Sequence, residues 1–392
     1  MKSGKVDPAT LHPETRLAHA GRDPALYDGA VNPPVHRATT LVIDEVAALY
    51  GTPRQTYALD GMAVHAALEA ALLAVEGGAG ATLAPSGLAA VTLALLAVVK
   101  SGDDILVTDS VYKPTRRFCE HFLARMGVTA RFYDPRIGAG IADLITANTT
   151  AVFMESPGSL TFEIQDVPAI AAAAHTRGVT TILDNTWSAG LYLKPFALGV
   201  DISVQALSKY QGGHNDAFMG AVLSASPAMA ARVRRAYKDL GLFASPDDSY
   251  LVLRGMRSLA VRMERQSASA LQLALWLQQR PEVAAVHYPA LANSPDHALW
   301  TRDFSGASGA FAFTLKAAAD ERVTAMLESL ALFAMGFSWG GYESLIVPVD
   351  KGMVRTAAPW AEEGPTIRVS IGLEHPDDLI ADLARAFAAL KE

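Results

Sequence analysis

Short apolar runs alternate with helical segments along much of this chain. Seven runs rich in aliphatic and β-branched residues predict strands, at residues 81–84, 105–108, 129–133, 151–154, 180–183, 202–206 and 217–223. Segments of helical pattern lie between them, at residues 87–100, 115–126, 141–146 and 167–177. This alternation predicts an α/β fold with a mostly parallel central sheet flanked by helices on both faces.

The pattern changes towards both ends of the chain. Residues 1–60 show little periodicity and predict an extended arm with one short helix near 44–50, and a helix over 62–76 stops at Gly77-Gly78. Residues 227–280 are strongly helical, and predicted strands at 310–316 and 367–371 precede a helix at 379–390. We therefore expect an arm (1–60), a larger α/β domain (61–255) and a smaller C-terminal α+β domain (256–392).

Composition and charge narrow the functional class. The net charge is 33 − 40 = −7, which argues against a nucleic-acid or membrane-surface partner. Cys119 is the single cysteine, so an internal disulfide is excluded and a cytoplasmic location is expected. The start of the chain lacks the apolar core of a signal peptide, and the run 88–99 is shorter than the roughly 20 residues that span a bilayer. The histidines lack metal-ligand spacing, so we expect no catalytic metal.

Two polar residues follow predicted strands at the edge where parallel sheets bind their ligands. Lys209 follows the strand 202–206 and precedes Gly212-Gly213, whereas Asp184 comes directly after the strand 180–183. A lone lysine is more often a solvated surface residue. A lysine and an aspartate that share one sheet edge are what pyridoxal phosphate needs, because the lysine forms a Schiff base and the aspartate keeps the pyridine nitrogen protonated.

A candidate phosphate site lies between a predicted strand and an apolar helix. Backbone N–H groups at Gly87 and Leu88, together with the helix dipole, favour binding of a phosphate dianion, and the Ser208 hydroxyl adds a donor. The alternative is that Ser86 simply caps this helix.

Three further features are compatible with both a functional and an ordinary structural role. Tyr112 follows the strand 105–108 and is placed to stack on a cofactor, or simply packs on the core. Arg368 interrupts an apolar strand, where it either clamps a substrate carboxylate or forms a buried salt bridge. The segment 337–345, FSWGGYESL, predicts a tight turn with aromatic packing.

These segments resemble the Cys/Met-metabolism family of pyridoxal-phosphate enzymes of fold type I, over residues 15–390. The resemblance rests on YALDGMAVHAALEAALLAVEGG, ESPGSLTFEIQDVPAI, DNTWSAGLYLKPFALGVDISVQALSKYQGGHNDAFMG and SWGGYESL. ESPGS and SWGGYESL favour its branch of bacterial cystathionine β-lyases over the γ-synthase and γ-lyase branches.

The resemblance implies a role for each candidate residue. It makes Lys209 the Schiff-base lysine and Asp184 the partner of the pyridine nitrogen, within a cofactor-binding domain at 61–255. It also implies that Tyr112 stacks on the cofactor ring. The phosphate would be bound by Gly87, Leu88 and Ser208, and by Tyr57 of a neighbouring subunit. The implied substrate-binding residues are Arg368, Ser338 and Trp339. The implied assembly is a homotetramer built from dimers.

The implied reaction is β-elimination of a small amino-acid thioether, L-cystathionine, to homocysteine, pyruvate and ammonia. Three alternatives remain open. The first is another elimination or replacement on the same scaffold: γ-elimination, γ-replacement, or β-elimination of cysteine or its S-conjugates. The second is a transamination by an aminotransferase of the same fold, and the third is a non-catalytic, regulatory role.

Two positions depart from the family pattern. Leu59 stands where the family commonly has a phosphate-binding arginine two residues after the tyrosine of the arm, and Arg54 is a candidate replacement. Arg116-Arg117 follows Tyr112 where related β-lyases can carry an acidic residue near the distal end of the substrate. We therefore expect an altered charge at the distal end of the substrate site.

Overall fold

A seven-stranded sheet forms the larger layer of this computed structural model, which describes Asp7, residues 10–50 and residues 56–390. In spatial order, β1-β7-β6-β5-β4-β2-β3, five neighbouring strands are parallel, and β7 runs antiparallel to β6 and β1. The α/β prediction is confirmed. The strands are β1 Gly80–Ala84, β2 Asp104–Thr108, β3 Thr129–Tyr133, β4 Thr149–Glu155, β5 Thr180–Asp184, β6 Ile202–Gln205 and β7 Gly220–Ser224.

Several helices begin at serines whose hydroxyls accept the N–H of the third helical residue, as Ser86, Ser226 and Ser245 do. The helices are α1 Pro13–His19, α2 Val46–Tyr50, α3 Ala63–Glu76, α4 Gly87–Leu96, α5 Lys113–Arg117, α6 Val167–His175, α7 Pro227–Asp239, α8 Pro246–Met256, α9 Leu259–Gln278, α10 His297–Asp303, α11 Asp320–Glu328 and α12 Pro376–Ala386.

The structure differs locally from the predicted elements. The helix predicted over 115–126 is α5 followed by a π-helical turn, Phe118–Leu123, and the segment 141–146 is replaced by a 3₁₀ helix, Gly138–Asp143. The predicted strand 202–206 ends one residue early, because the N–H of Ala206 donates to Thr186 Oγ1 at 2.9 Å.

A second, five-stranded sheet has the order β10-β11-β12-β9-β8. The strands predicted at 310–316 and 367–371 are β9 and β12, whereas the other three are short or interrupted and were missed. Phe311 and Val369 of this sheet share an apolar core with Leu183 of the larger one and with Trp187, in the loop after β5. The boundaries at residues 60 and 255 stay predictions. The strands are β8 Val283–His287, β9 Ala310–Leu315, β10 Ala334–Met335, β11 Leu345–Pro348 and β12 Thr366–Ser370.

One helical stretch of the described residues, Ala58–Glu76, is long and apolar enough to cross a membrane by length and composition alone. The sequence-based expectation that no run spans a bilayer rested on residues 88–99 and not on this stretch. Leu68 and Leu72 of this stretch are buried in the core beside β1, and 44% of its most apolar window is buried within the protein. A helix buried in the core of a globular protein can have the same length and apolar composition.

A buried carboxylate ties the loop after β2 to the segment that leads into β12. Asp109 accepts the N–H groups of Thr356, Ala357 and Ala358 at 2.8–3.0 Å and forms an ion pair with buried Arg116. Burial alone would raise the pKa of Asp109, but these donors outweigh it and hold that pKa below its usual value. We call this group the Asp109 clamp.

The Asp109 clamp should contribute strongly to stability. Asp109→Ala leaves the Arg116 guanidinium buried without its ion-pair partner, so we expect the free energy of unfolding to fall by about 3–5 kcal/mol. Urea unfolding followed by circular dichroism measures this loss. Asp239→Ala, which removes an exposed carboxylate, should change it by less than about 0.5 kcal/mol. Equal effects of the two substitutions would contradict a stabilising clamp.

Candidate active site

The candidate site lies at the carboxyl ends of β4, β5 and β6. Asp184 ends β5 and lies in register with Glu155 at the end of β4. Lys209 follows β6 in a tight turn, in which its N–H donates to the carbonyl of Ala206 at 3.1 Å. Asp184 and Lys209 interact electrostatically, so the structure brings the two predicted residues into one site.

The Lys209 amine is partly buried and has few polar partners. Its Nζ donates to Ser338 Oγ at 2.8 Å and lies 5.4 Å from the centre of the Trp339 ring. Burial, assisted by the positive charge of Arg368, lowers the pKa of Lys209 to about 8, although Asp184 acts in the opposite direction. A nucleophilic fraction of free amine, roughly one tenth, is therefore present at pH 7.

Asp184 is held in place by the residue two positions further on. Its Oδ1 accepts the N–H of Thr186 at 3.0 Å and also the Thr186 hydroxyl. Burial raises the pKa of Asp184, and these hydrogen bonds and Lys209 only partly offset that effect. A cation next to this carboxylate would stabilise its charged form.

Sequence reasoning missed a second carboxyl group, that of Glu155. Its Oε2 accepts the N–H of Tyr112 at 2.7 Å. Burial and the neighbouring charge of Asp184 both raise the pKa of Glu155 well above its usual value. The available signal was position, since Glu155 comes directly after the predicted strand 151–154 just as Asp184 follows 180–183.

The turn predicted at 337–345 packs directly on the lysine loop. Gly340 has a φ of 84°, and a Cβ at this position would lie 2.9 Å from the nitrogen of Tyr210 and 3.1 Å from the carbonyl carbon of Lys209. Trp339 packs against Tyr210, with 5.4 Å between ring centres. The glycine thus allows the close approach that puts Ser338 and Trp339 beside the lysine amine.

Arg368 projects from β12 with a donor left unpaired. Its Nη2 donates to the carbonyls of Ser338 at 2.9 Å and Gly336 at 3.4 Å, while its buried Nε has no partner among the described residues. Arg368 forms no ion pair with any of the described residues, which argues against the alternative of a buried salt bridge. Burial lowers its pKa to about 10, which leaves the guanidinium charged at neutral pH and suited to a carboxylate.

The predicted phosphate site has a partly different geometry from that expected. The Ser86 hydroxyl accepts the N–H of Ala89 at 3.1 Å, so it does cap α4. The first N–H groups of α4, those of Gly87 and Leu88, cannot bond within the helix and remain available to an anion. The Ser208 hydroxyl exchanges hydrogen bonds with the backbone of Met219, at 2.9 and 3.3 Å, and its role towards phosphate stays a prediction.

The two candidate tyrosines are both half exposed. The Tyr112 side chain lies within the electrostatic influence of Asp184 and Arg368, which places it at the site; burial, with the nearby carboxyl groups, raises its pKa. Tyr57 pairs through its backbone with Thr40, and its contact with a second subunit stays a prediction. Arg54, the candidate substitute for the lost arginine, lies outside the described residues.

These residues suit pyridoxal phosphate. A lysine amine of lowered pKa lies near a carboxylate, and the first N–H groups of α4 have no acceptor within the helix. Arg368 Nε has no partner in the part of the chain that the structure describes. Gly87 is needed for the close packing of α4 on the lysine strand, since a Cβ there would lie 2.5 Å from that of Ala206. Among the described residues, no group of three His, Cys, Asp or Glu side chains could hold a metal ion.

Comparison with known proteins gives the same chemistry. The sequence model described as "Cys/Met metabolism PLP-dependent enzyme" matches residues 14–388. Cystathionine beta-lyase from Salmonella typhimurium and cystathionine beta-lyase MetC from Escherichia coli are each 41% identical to the chain, over 96% of its length and 98% of theirs. The crystal structure of cystathionine gamma-lyase from Lactobacillus plantarum complexed with L-serine superposes with a TM-score of 0.90 at 30% identity, over 97% of this chain and 100% of that one.

The Lys209 amine should titrate near pH 8 in the cofactor-free protein. NMR of ¹³C-dimethylated lysines, with Lys209→Ala to assign the signal, measures this value. Arg368→Leu removes a nearby positive charge and should raise the pKa of Lys209. Arg125→Leu removes an exposed positive charge and should leave the titration in place. A Lys209 signal that titrates near 10.5 in the unsubstituted protein would contradict its burial.

Proposed function

Because the chain belongs to the family of Cys/Met metabolism PLP-dependent enzymes, we propose that it carries out β-elimination on L-cystathionine. The products are homocysteine, pyruvate and ammonia, which places the enzyme among the carbon–sulfur lyases of methionine biosynthesis. The observation that carries the proposal is the Lys209 amine, which has a lowered pKa and interacts electrostatically with both Asp184 and Arg368. The Nε of Arg368 has no hydrogen-bond partner among the described residues. The similarity to two cystathionine β-lyases supports the choice of substrate.

When bound, pyridoxal phosphate supplies an aldehyde for amines and a ring that accepts the electron pair released at Cα. Gly87 and Leu88 would hold its phosphate through their N–H groups, and Tyr112 would contact its ring. Asp184 stabilises a proton on the ring nitrogen, because a buried carboxylate gains most from a cation next to it.

The substrate is oriented by the C-terminal sheet. Arg368 binds the α-carboxylate with its guanidinium, whose Nε has no partner among the described residues, while Ser338 and Trp339 line the same place. This contact fixes which bond at Cα faces the Lys209 amine.

Lys209 moves the proton. As a free amine it takes the proton from Cα, and as an ammonium it donates that proton to the sulfur that leaves from Cβ. A pKa near 8 suits both tasks, because the amine and ammonium forms are then both accessible near neutral pH. Ser338, whose hydroxyl accepts the Lys209 hydrogen bond, guides the amine between these positions.

A γ-elimination is the second candidate, supported by the structural similarity to a cystathionine γ-lyase. The keto acid separates the two reactions, since β-elimination of L-cystathionine gives pyruvate and γ-elimination gives 2-oxobutyrate. L-cysteine and L-homocysteine, tested alongside, separate cysteine β-lyase activity in the same way. Pyruvate formed without an added keto acid argues against an aminotransferase, and a cofactor-loaded protein that eliminates no thioether would fit a regulatory role.

Turnover of L-cystathionine should depend on Lys209. Lys209→Ala removes the group that binds the cofactor covalently and transfers the proton, so we expect loss of pyruvate formation and of the visible absorbance of the bound cofactor. Coupled pyruvate assays and absorption spectra measure both. Lys100→Ala, at an exposed lysine, serves as the control and should behave as the unsubstituted enzyme. Normal turnover by Lys209→Ala would overturn the assignment.

We further propose a cytoplasmic homotetramer in which Tyr57 contacts the cofactor phosphate of a neighbouring subunit. The exposure of the Tyr57 side chain in the single chain supports its contact with a neighbouring subunit. Light scattering should give four times the mass of one chain. A monomer that retained full activity would contradict the shared site.

A further inference from the structure

The structure separates the two arginines that follow Tyr112. Arg116 is buried in the Asp109 clamp, and its guanidinium lies 3.5 Å from the centre of the Phe132 ring. It also forms an ion pair with Glu120 at 3.2 Å. Because its donors are engaged there, Arg116 cannot reach a substrate. The expectation of an altered charge at the distal end therefore rests on Arg117.

Arg117 is an exposed cation to which the described residues give neither a hydrogen bond nor an ion pair. It lies at the end of α5, directly before the π-helical turn Phe118–Leu123, a departure from regular helix that is frequent at functional sites. It lines a largely apolar cavity of about 370 Å³ together with Leu88, Pro114, Phe118, His121 and Phe122.

Two observations link this cavity to the candidate active site. Leu88 belongs to the start of α4, where the phosphate is expected. The positive charge of Arg117 also acts on the Tyr112 phenol, as does that of Arg368. Tyr112 therefore lies under the influence of two arginines, one facing the Lys209 amine and the other facing the open cavity.

We propose that Arg117 is a specificity-determining residue, which binds a carboxylate at the far end of the thioether arm of the substrate. The inference rests on the proposed β-elimination and names the class of substrate that it favours. Apolar walls suit the methylene groups of such an arm, and an unpaired guanidinium at the cavity suits its terminal carboxylate. The other ionisable side chain that lines the cavity, His121, carries no negative charge and so offers no ion-pair partner to a terminal ammonium.

A charge series of S-substituted L-cysteines tests this inference with the cofactor-loaded enzyme. S-(2-carboxyethyl)-, S-propyl- and S-(2-aminoethyl)-L-cysteine share the reacting centre and differ in the charge of the departing thiol. Each gives pyruvate, ammonia and its thiol, with one water consumed. We expect kcat/KM to be about tenfold higher for the carboxylate than for the amine, the range of one charge-assisted contact that keeps some solvent.

Substitutions then test whether Arg117 causes the preference for the carboxylate substrate. Arg117→Ala should reduce the ratio of the two kcat/KM values to near one, and Arg117→Glu should invert it in favour of the amine. Lys113→Ala is the matched control, because it removes an exposed cation four residues away and should keep the preference. In the unsubstituted enzyme the ratio should also fall as the salt concentration is raised, because salt screens the charge of Arg117. A purely structural role of Arg117 would not produce this salt dependence.

The outcomes separate this inference from the proposed function. Equal kcat/KM values across the series in the unsubstituted enzyme, or a preference that survives Arg117→Ala, would overturn the role of Arg117 and leave β-elimination standing. Absence of pyruvate from all three compounds and from L-cystathionine would instead overturn the proposed function.

Discussion

The desolvation of one lysine amine is the constraint on which the site depends. Removed from most of its water and placed near the positive charge of Arg368, Lys209 holds its proton less tightly than a surface lysine does. Asp184 opposes this effect and keeps the pKa from falling further. The balance leaves an amine that can act as a nucleophile and then return a proton.

Neither sheet contains this arrangement by itself. The larger sheet contributes Lys209 and Asp184 at strand ends, whereas the smaller one contributes Arg368 and the turn with Ser338. Their contact depends on Gly340, which lets the turn approach the lysine backbone. Apolar packing between the sheets and the Asp109 clamp hold the two parts in register, so stability and chemistry share the same contacts.

The neighbouring carboxyl groups of Glu155 and Asp184 have different roles, which follow from their different tendencies to carry a charge. Two adjacent carboxylates in a desolvated site repel each other, so the charge settles preferentially on one. The pKa of Glu155 is raised by Asp184 as well as by burial, which favours a neutral Glu155 beside a charged Asp184. Glu155 then holds the backbone of Tyr112 while Asp184 remains available to a cation.

The sequence by itself determined the α/β class, the strands of the larger sheet and the placement of Asp184 and Lys209, because periodicity and strand ends are local properties. It did not reveal β8, β10 and β11, whose short segments carry weak patterns. Only tertiary structure decided that Arg116 is buried in an ion pair and that Glu155 borders Asp184. It also decided that, within the described ranges, Arg368 has no acidic partner and Arg117 has no ion pair. These facts depend on contacts between residues far apart in the chain, which no local pattern encodes.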